Sequence, residues 1–222
     1  MKNNLYEQTL EARDKLYSTF GKGDSDVLAP IVNPAFQGGA MWPALRQAFN
    51  IIRRDNSTII ISNGLSDPFD DYEEKNSGFE IEVMAETKQK IEDDISSSWL
   101  AKLVYRVSQE VAHNNQIKDF VEQYNVVTME FFASDFGLED YENEYGMIGV
   151  MFGIEHPERV KYYNFPGAKI LIMTVKILTP DELDYAVEHR AEGRNKLHKL
   201  FKDTKQYHFN DLNRKSVLEN KC

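Results

Sequence analysis

A chain of 222 residues with 41% hydrophobic and 12% aromatic side chains has a globular composition and enough length for one sizeable core or two small ones. Its net charge of −10 argues against general nucleic-acid binding, which needs clustered Lys and Arg to meet phosphates. No run approaches the ~18 consecutive apolar residues of a membrane span, and Met1 to Glu7 lack an apolar signal core. The single cysteine is the last residue, Cys222, which excludes an intrachain disulfide and a Cys-based zinc site, so a cytoplasmic location is expected.

Residues 4–20 read as an amphipathic helix, with Leu5, Tyr6, Leu10, Leu16, Tyr17 and Phe20 near helical spacing and Gly21 as the stop. Gly21 to Asp26 read as a flexible turn, since no Gly-Lys-Ser/Thr and no preceding strand support a phosphate loop. Three prolines and Gly38-Gly39 make residues 30–43 an irregular crossing segment. A helix is expected from Pro43, with Leu45, Ala48, Phe49 and Ile52 on one stripe and Arg53-Arg54 at its end. Next comes a buried strand at Ile59 to Ile61, because three β-branched apolar residues run without a break. Residues 79–86 alternate: Phe79, Ile81, Val83 and Ala85 face a core, and Glu80, Glu82, Met84 and Glu86 are expected to face solvent.

Beyond the acidic loop, Ser96 or Ser97 is expected to cap a helix whose stripe is Leu100, Leu103, Val104, Val107 and Val111, with Trp99 in its first turn. A short helix over Ile117, Phe120, Val121 and Tyr124 leads to strands at 126–132, 147–154 and 169–178. Thr179-Pro180-Asp181-Glu182 is a capping box with Pro at the first helical position, and the helix it opens carries Leu183, Ala186, Val187, Leu197, Leu200 and Phe201, with a bend at Gly193. The tail from 203 is polar and basic, frayed or docked by Tyr207, Phe209 and Leu212. No repeat or linker divides the chain. Three parts are nevertheless distinguished: residues 1–39 packed on the core, a domain at 40–202 and the tail at 203–222.

Charge is unevenly spread. Residues 67–94 hold eleven carboxylates against three lysines, whereas residues 189–222 hold nine Lys/Arg against four acids. The five histidines (His113, His156, His189, His198, His208) show no metal-binding spacing, and no serine sits in a nucleophile elbow, so no catalytic residue, metal or cofactor is assigned. The weak metal alternative is His156 with Asp67 and Glu80. Asn63-Gly64 and Pro68 read as the fixed parts of a turn. Asp67 has two readings, a side chain bonded to the turn's own amides or part of a recognition surface. With Asp70, Asp71, Glu73, Glu74, Glu80 and Glu82 it forms the candidate partner-binding set, a field of one sign that steers a basic partner.

Met41-Trp42-Pro43-Ala44-Leu45-Arg46, Ile60 to Phe69, Gly78-Phe79-Glu80-Ile81-Glu82 and Val175 to Leu183 resemble the suppressor-of-fused domain family in its bacterial branch, over about residues 40–202. The Gly-Leu-Ser-Asp-Pro turn followed by Gly-Phe-Glu is the specific part; Asn63 departs from the Asp expected there. The resemblance implies a single compact α+β domain with a mixed, largely antiparallel sheet and helices packed on it. It also implies protein binding rather than catalysis, through similarity to immunity proteins that neutralise a cognate toxin, often a nuclease. The competing expectations are a small hydrolase or ligand-binding pocket near His156, Tyr162 and Tyr163, and an adaptor that captures peptides on a free strand edge.

Overall fold

The computed structural model describes residues 2–70, 74–89, 91 and 94–219. Four helices, α1 (Lys2–Ser18), α2 (Trp99–His113), α3 (Ile117–Tyr124) and α4 (Pro180–Asp203), accompany nine strands. The strands are β1 (Lys22–Leu28), β2 (Ala48–Arg54), β3 (Ser57–Asn63), β4 (Ile81–Thr87), β5 (Val127–Phe132), β6 (Met147–Phe152), β7 (Tyr162–Asn164), β8 (Lys169–Ile177) and β9 (Phe209–Asn210). They form one sheet in the order β1-β2-β3-β4-β8-β6-β5, with β7 on β8 and β9 on β4. Pairing is antiparallel except where β4 meets β8 and β9. The fold is therefore α+β, with a mixed, mostly antiparallel sheet.

Helix cover explains the hydrophobic pattern of the central strands. On one face Ile60, Ile81, Val83 and Ala85 join Leu100, Leu103, Val104 and Val107 of α2 in the largest core cluster. On the other, Ile59, Ile61 and Met84 pack with Leu16 and Tyr17 of α1 and with Phe20 just after it. A strand covered on both sides has no polar side to show, hence the unbroken isoleucines. Ser98 caps α2 by accepting from Ala101 N at 3.2 Å, one residue beyond the expected serines.

Three expectations are corrected. Residues 48–54 form strand β2, paired with β3 through the two-residue turn Asp55-Asn56. The Phe49/Ile52 spacing fits a helix, but the adjacent Ile51-Ile52 pair and the hairpin register favour a strand. Residues 22–28 are strand β1 rather than a turn, with a bulge between Gly23 and Val27. In α4 the backbone leaves helical geometry at Arg190 (φ 50°), three residues before the expected bend at Gly193. The capping box is present, with the Glu182 carboxylate accepting from Thr179 N at 3.0 Å.

Candidate functional site

The turn after β3 is shaped by two glycines. At Gly64 (φ 148°) a Cβ would sit 2.3 Å from Arg46 O and 2.9 Å from the Trp42 ring. At Gly78 (φ 55°) it would sit 2.4 Å from Asp67 O. Backbone therefore runs against backbone where no side chain fits. Phe79 N donates to Leu65 O at 2.9 Å, and Asn76 Oδ1 accepts from Phe69 N at 2.7 Å, which closes the loop back toward β4. Pro68 is buried within it.

Inside that turn lies a buried network of charge. Arg13 of α1 is fully buried; its Nη2 lies 2.7 Å from Asp67 Oδ1, its Nη1 donates to Asn63 Oδ1 at 2.8 Å, and its Nε lies 3.4 Å from Glu82 Oε1. Arg46 reaches the same Asp67 at 3.2 Å and donates to Asn63 Oδ1 at 2.6 Å. Glu82 Oε1 also accepts from Gly64 N, Ser66 N and Ser66 Oγ at 3.2, 3.0 and 2.6 Å, and its Oε2 accepts from Ser62 Oγ. Burial works against the Arg13 charge, but Glu82 and Asp67 outweigh it and hold its pKa above the ordinary value. Two guanidiniums face two carboxylates, so the network carries no net charge.

The candidate partner-binding set accordingly divides. The expectation that Glu82 and Glu86 face solvent is corrected: both are buried, Glu82 against Arg13 of α1 and Glu86 among Arg54, Arg159 and His208. Asp67 is likewise fully buried, but its carboxylate meets Arg13 and Arg46 rather than the turn's own amides, which Glu82 takes instead. Glu80 is partly exposed and paired with Lys118 at 2.8 Å. Asp70 and Glu74 are exposed, and Asp71 and Glu73 lie outside the described residues. Arg13 is the residue that sequence reasoning missed. Thr9, Arg13, Leu16 and Tyr17 form one buried stripe of α1, continued by Phe20 beyond its end, and an arginine in the middle of such a stripe is the signal the sequence offers.

A second buried cluster surrounds Glu86. Arg54 Nη1 lies 3.1 Å from its Oε1, Arg159 Nη2 lies 2.6 Å from its Oε2, and His208 Nε2 lies 3.0 Å from the same Oε2. Ser57 Oγ donates to Oε1 at 2.5 Å, and His156 Nε2 stands 3.8 Å away. Glu86, His156 and His208 offer ligand atoms within 4.8 Å of one another, a set different from the His156, Asp67 and Glu80 considered above. The chemistry does not suit a divalent cation. His156 Nδ1 accepts from Glu158 N at 2.9 Å, so its proton sits on Nε2, the atom that would have to ligate, and two guanidiniums already occupy the carboxylate. His156 and Tyr163 do share a cavity, of about 20 Å³, room for a water rather than a substrate. Tyr162 does not line it and instead lies beneath the Lys169 ammonium.

The tail is docked more firmly than Tyr207, Phe209 and Leu212 imply. Beside His208, the Asn210 side chain donates to Val175 O at 2.9 Å, and Arg214 Nη1 meets Glu182 Oε1 at 2.6 Å. The Glu182 of the capping box thus also holds the tail, accepting from Val217 N at 2.9 Å.

Fold and buried turn together define an α+β domain in which the Gly64 to Pro68 turn is scaffold, with Asp67 and Glu82 turned inward. The sequence profile described as "Suppressor of fused protein (SUFU)" matches residues 47–215, and the chain belongs to that family. The match begins after Arg46 and extends past the expected end into the docked tail, leaving Arg13 outside. Among solved structures, "the Sufu-Fu complex crystal structure" is similar at TM-score 0.57 and 14% identity, covering 97% of this chain and 93% of that one. The "Crystal structure of Drosophila Suppressor of Fused" is similar at TM-score 0.55 and 15% identity, covering 96% of this chain and 52% of that one, so this chain spans about half of the Drosophila protein. No curated protein matches it. Among the described residues no helix is long and apolar enough to cross a membrane.

Proposed function

We propose that this chain is a non-enzymatic, cytoplasmic protein-binding module, and more narrowly a bacterial immunity protein that neutralises a cognate basic toxin domain. The observation that carries the binding role is the similarity of 97% of the chain to a Sufu solved in a complex with Fu. The narrower reading rests on charge: a net −10 with acids concentrated at 67–94 favours a basic partner, as a nuclease that grips phosphate would be. With Asp67 and Glu82 buried, the contact surface narrows to the loop acids Asp70, Asp71, Glu73 and Glu74, with Glu80 at its margin.

The test is a pull-down with the products of adjacent genes at low and at moderate salt. A partner retained at low salt and weakened at moderate salt, and lost when Asp70, Asp71, Glu73 and Glu74 are all reversed to Lys, supports the reading. Absence of binding at both salts sinks it. Binding that survives the fourfold reversal sinks the surface alone.

A further inference from the structure

The basic C-terminal run stands apart from the acidic surface and calls for its own explanation. Its docking onto β4 leaves a groove of about 260 Å³, lined by Lys88 from beyond β4 and by Lys205, Gln206, Phe209, Asn210, Asp211 and Arg214 from the tail. Lys88 and Lys205 are exposed, and Nζ of Lys88 stands 4.3 Å from the centre of the Phe209 ring. Among the described residues Asp211 is the one carboxylate in the lining.

Directly behind the groove lies a third lysine amine. Lys176 of β8 is fully buried, with its Nζ donating to Phe209 O and lying 4.8 Å from the centre of the Phe201 ring. Burial first, and then the Arg214 charge, push its pKa well below the ordinary value, against the pull of Glu182 and Asp211. Arg214 is occupied by Glu182, so among the described lining residues the two lysines at the mouth, Lys88 and Lys205, stand with one acid, Asp211. In a protein of net charge −10, that local excess of positive charge is the reverse of the general field.

We propose that this groove is a binding site for a phosphoryl oxyanion, with Lys88 and Lys205 supplying the charge and Phe209 the floor. Lysines suit the role as point charges, since the one guanidinium present is already committed to Glu182. The volume fits inorganic phosphate or a compact phosphate ester. Because the groove is built from β4's continuation and the tail, an occupied site would also strengthen the docking of β9.

Thermal denaturation in increasing phosphate, with sodium chloride at matched ionic strength as the reference, tests this on the full chain. Free phosphoserine against serine separates an ester from the free anion. The expected result is saturable stabilisation by phosphate or phosphoserine and none by chloride or serine. In the Lys88→Gln/Lys205→Gln double variant the midpoint concentration should rise at least tenfold. Lys199→Gln, which removes a lysine of α4 paired instead with Asp203, should behave as the parent. Stabilisation that chloride reproduces overturns the proposal, as does a response unchanged in the double variant. Both lysines are exposed, so the double variant should keep the parent's circular dichroism spectrum, and with that spectrum unchanged a lost response reports on the site.

Discussion

Glu82 and Glu86 stand four residues apart on one face of β4, both buried, yet the protein neutralises them by different means. Glu82 is held by backbone amides, serine hydroxyls and one fully buried guanidinium, Arg13, which arrives on a helix from the N-terminal segment. Glu86 is held by two arginines with partial access to solvent and by His208 from the tail, with His156 behind. The first cluster contains no imidazole and locks a turn; the second contains two and clasps the chain's last strand. A buried carboxylate is thus one device with two uses, depending on whether its partners can change charge or reach water.

The widest separation between the two should come from deleting the cation at each. Arg13→Ala leaves Asp67 and Glu82 in a closed interior with only Arg46 to offset them, and should cost about 3–5 kcal/mol of stability in urea denaturation. Arg159→Ala should cost less, about 1–3 kcal/mol, because Glu86 is a single carboxylate that keeps both Arg54 and His208. Equal losses at the two sites would end the distinction drawn between them.

Acid separates the clusters by a second route. Burial first, helped by His208 and Arg159, pushes His156 down to about 3; burial likewise lowers His208, and lowers His198 to about 4. Each is a histidine that the unfolded chain protonates first. Stability should therefore be complete above the ordinary histidine value of about 6.5 and fall as the pH drops from there through about 3. Glu86 adds to the loss below the ordinary carboxylate range: its partners His208, Ser57 and Arg159 outweigh the burial that opposes its charge and hold its pKa well down. His156→Phe should flatten the decline between pH 6 and 4, whereas Arg13→Ala, which removes no imidazole partner, should keep the histidine-driven part of it. Unfolding midpoints measured across this range for the three proteins decide it.

What the sequence made legible follows from which patterns have one physical meaning. The α2 stripe, the isoleucine run of β3 and the capping box before α4 each admit a single structure, and each is found. The alternation over 79–86 admits two. Polar residues at every second position look the same whether that face meets water or a helix that carries arginine, and only Arg13, 69 positions before Glu82, decides between them. Such a contact has no local signature. The Glu86 cluster was hidden for the same reason, since its members come from β2, β4, the segment after β6 and the tail. Residues 48–54 differ: a short apolar run fits both periods, and what resolves it is the hairpin through Asp55-Asn56 that pairs the run with β3.

The smallest expected effect marks the boundary of the comparison, where a β4-proximal carboxylate does reach solvent. Glu80, two residues before Glu82, bonds Lys118 of α3 at 2.8 Å with over a third of its side chain exposed. Burial acts against the Lys118 charge, but Glu80 and Glu122 prevail and raise its pKa. Water already solvates this pair, so Lys118→Ala should cost only about 0.2–1 kcal/mol, and ~1 M salt, whose Debye length is ~3 Å, should erase most of that. The Arg13→Ala loss should persist in the same salt, because no ion reaches a closed interior. If the two variants respond alike to salt, solvent reaches the Glu82 cluster after all, and the inward face of β4 would have to be redrawn as an accessible one.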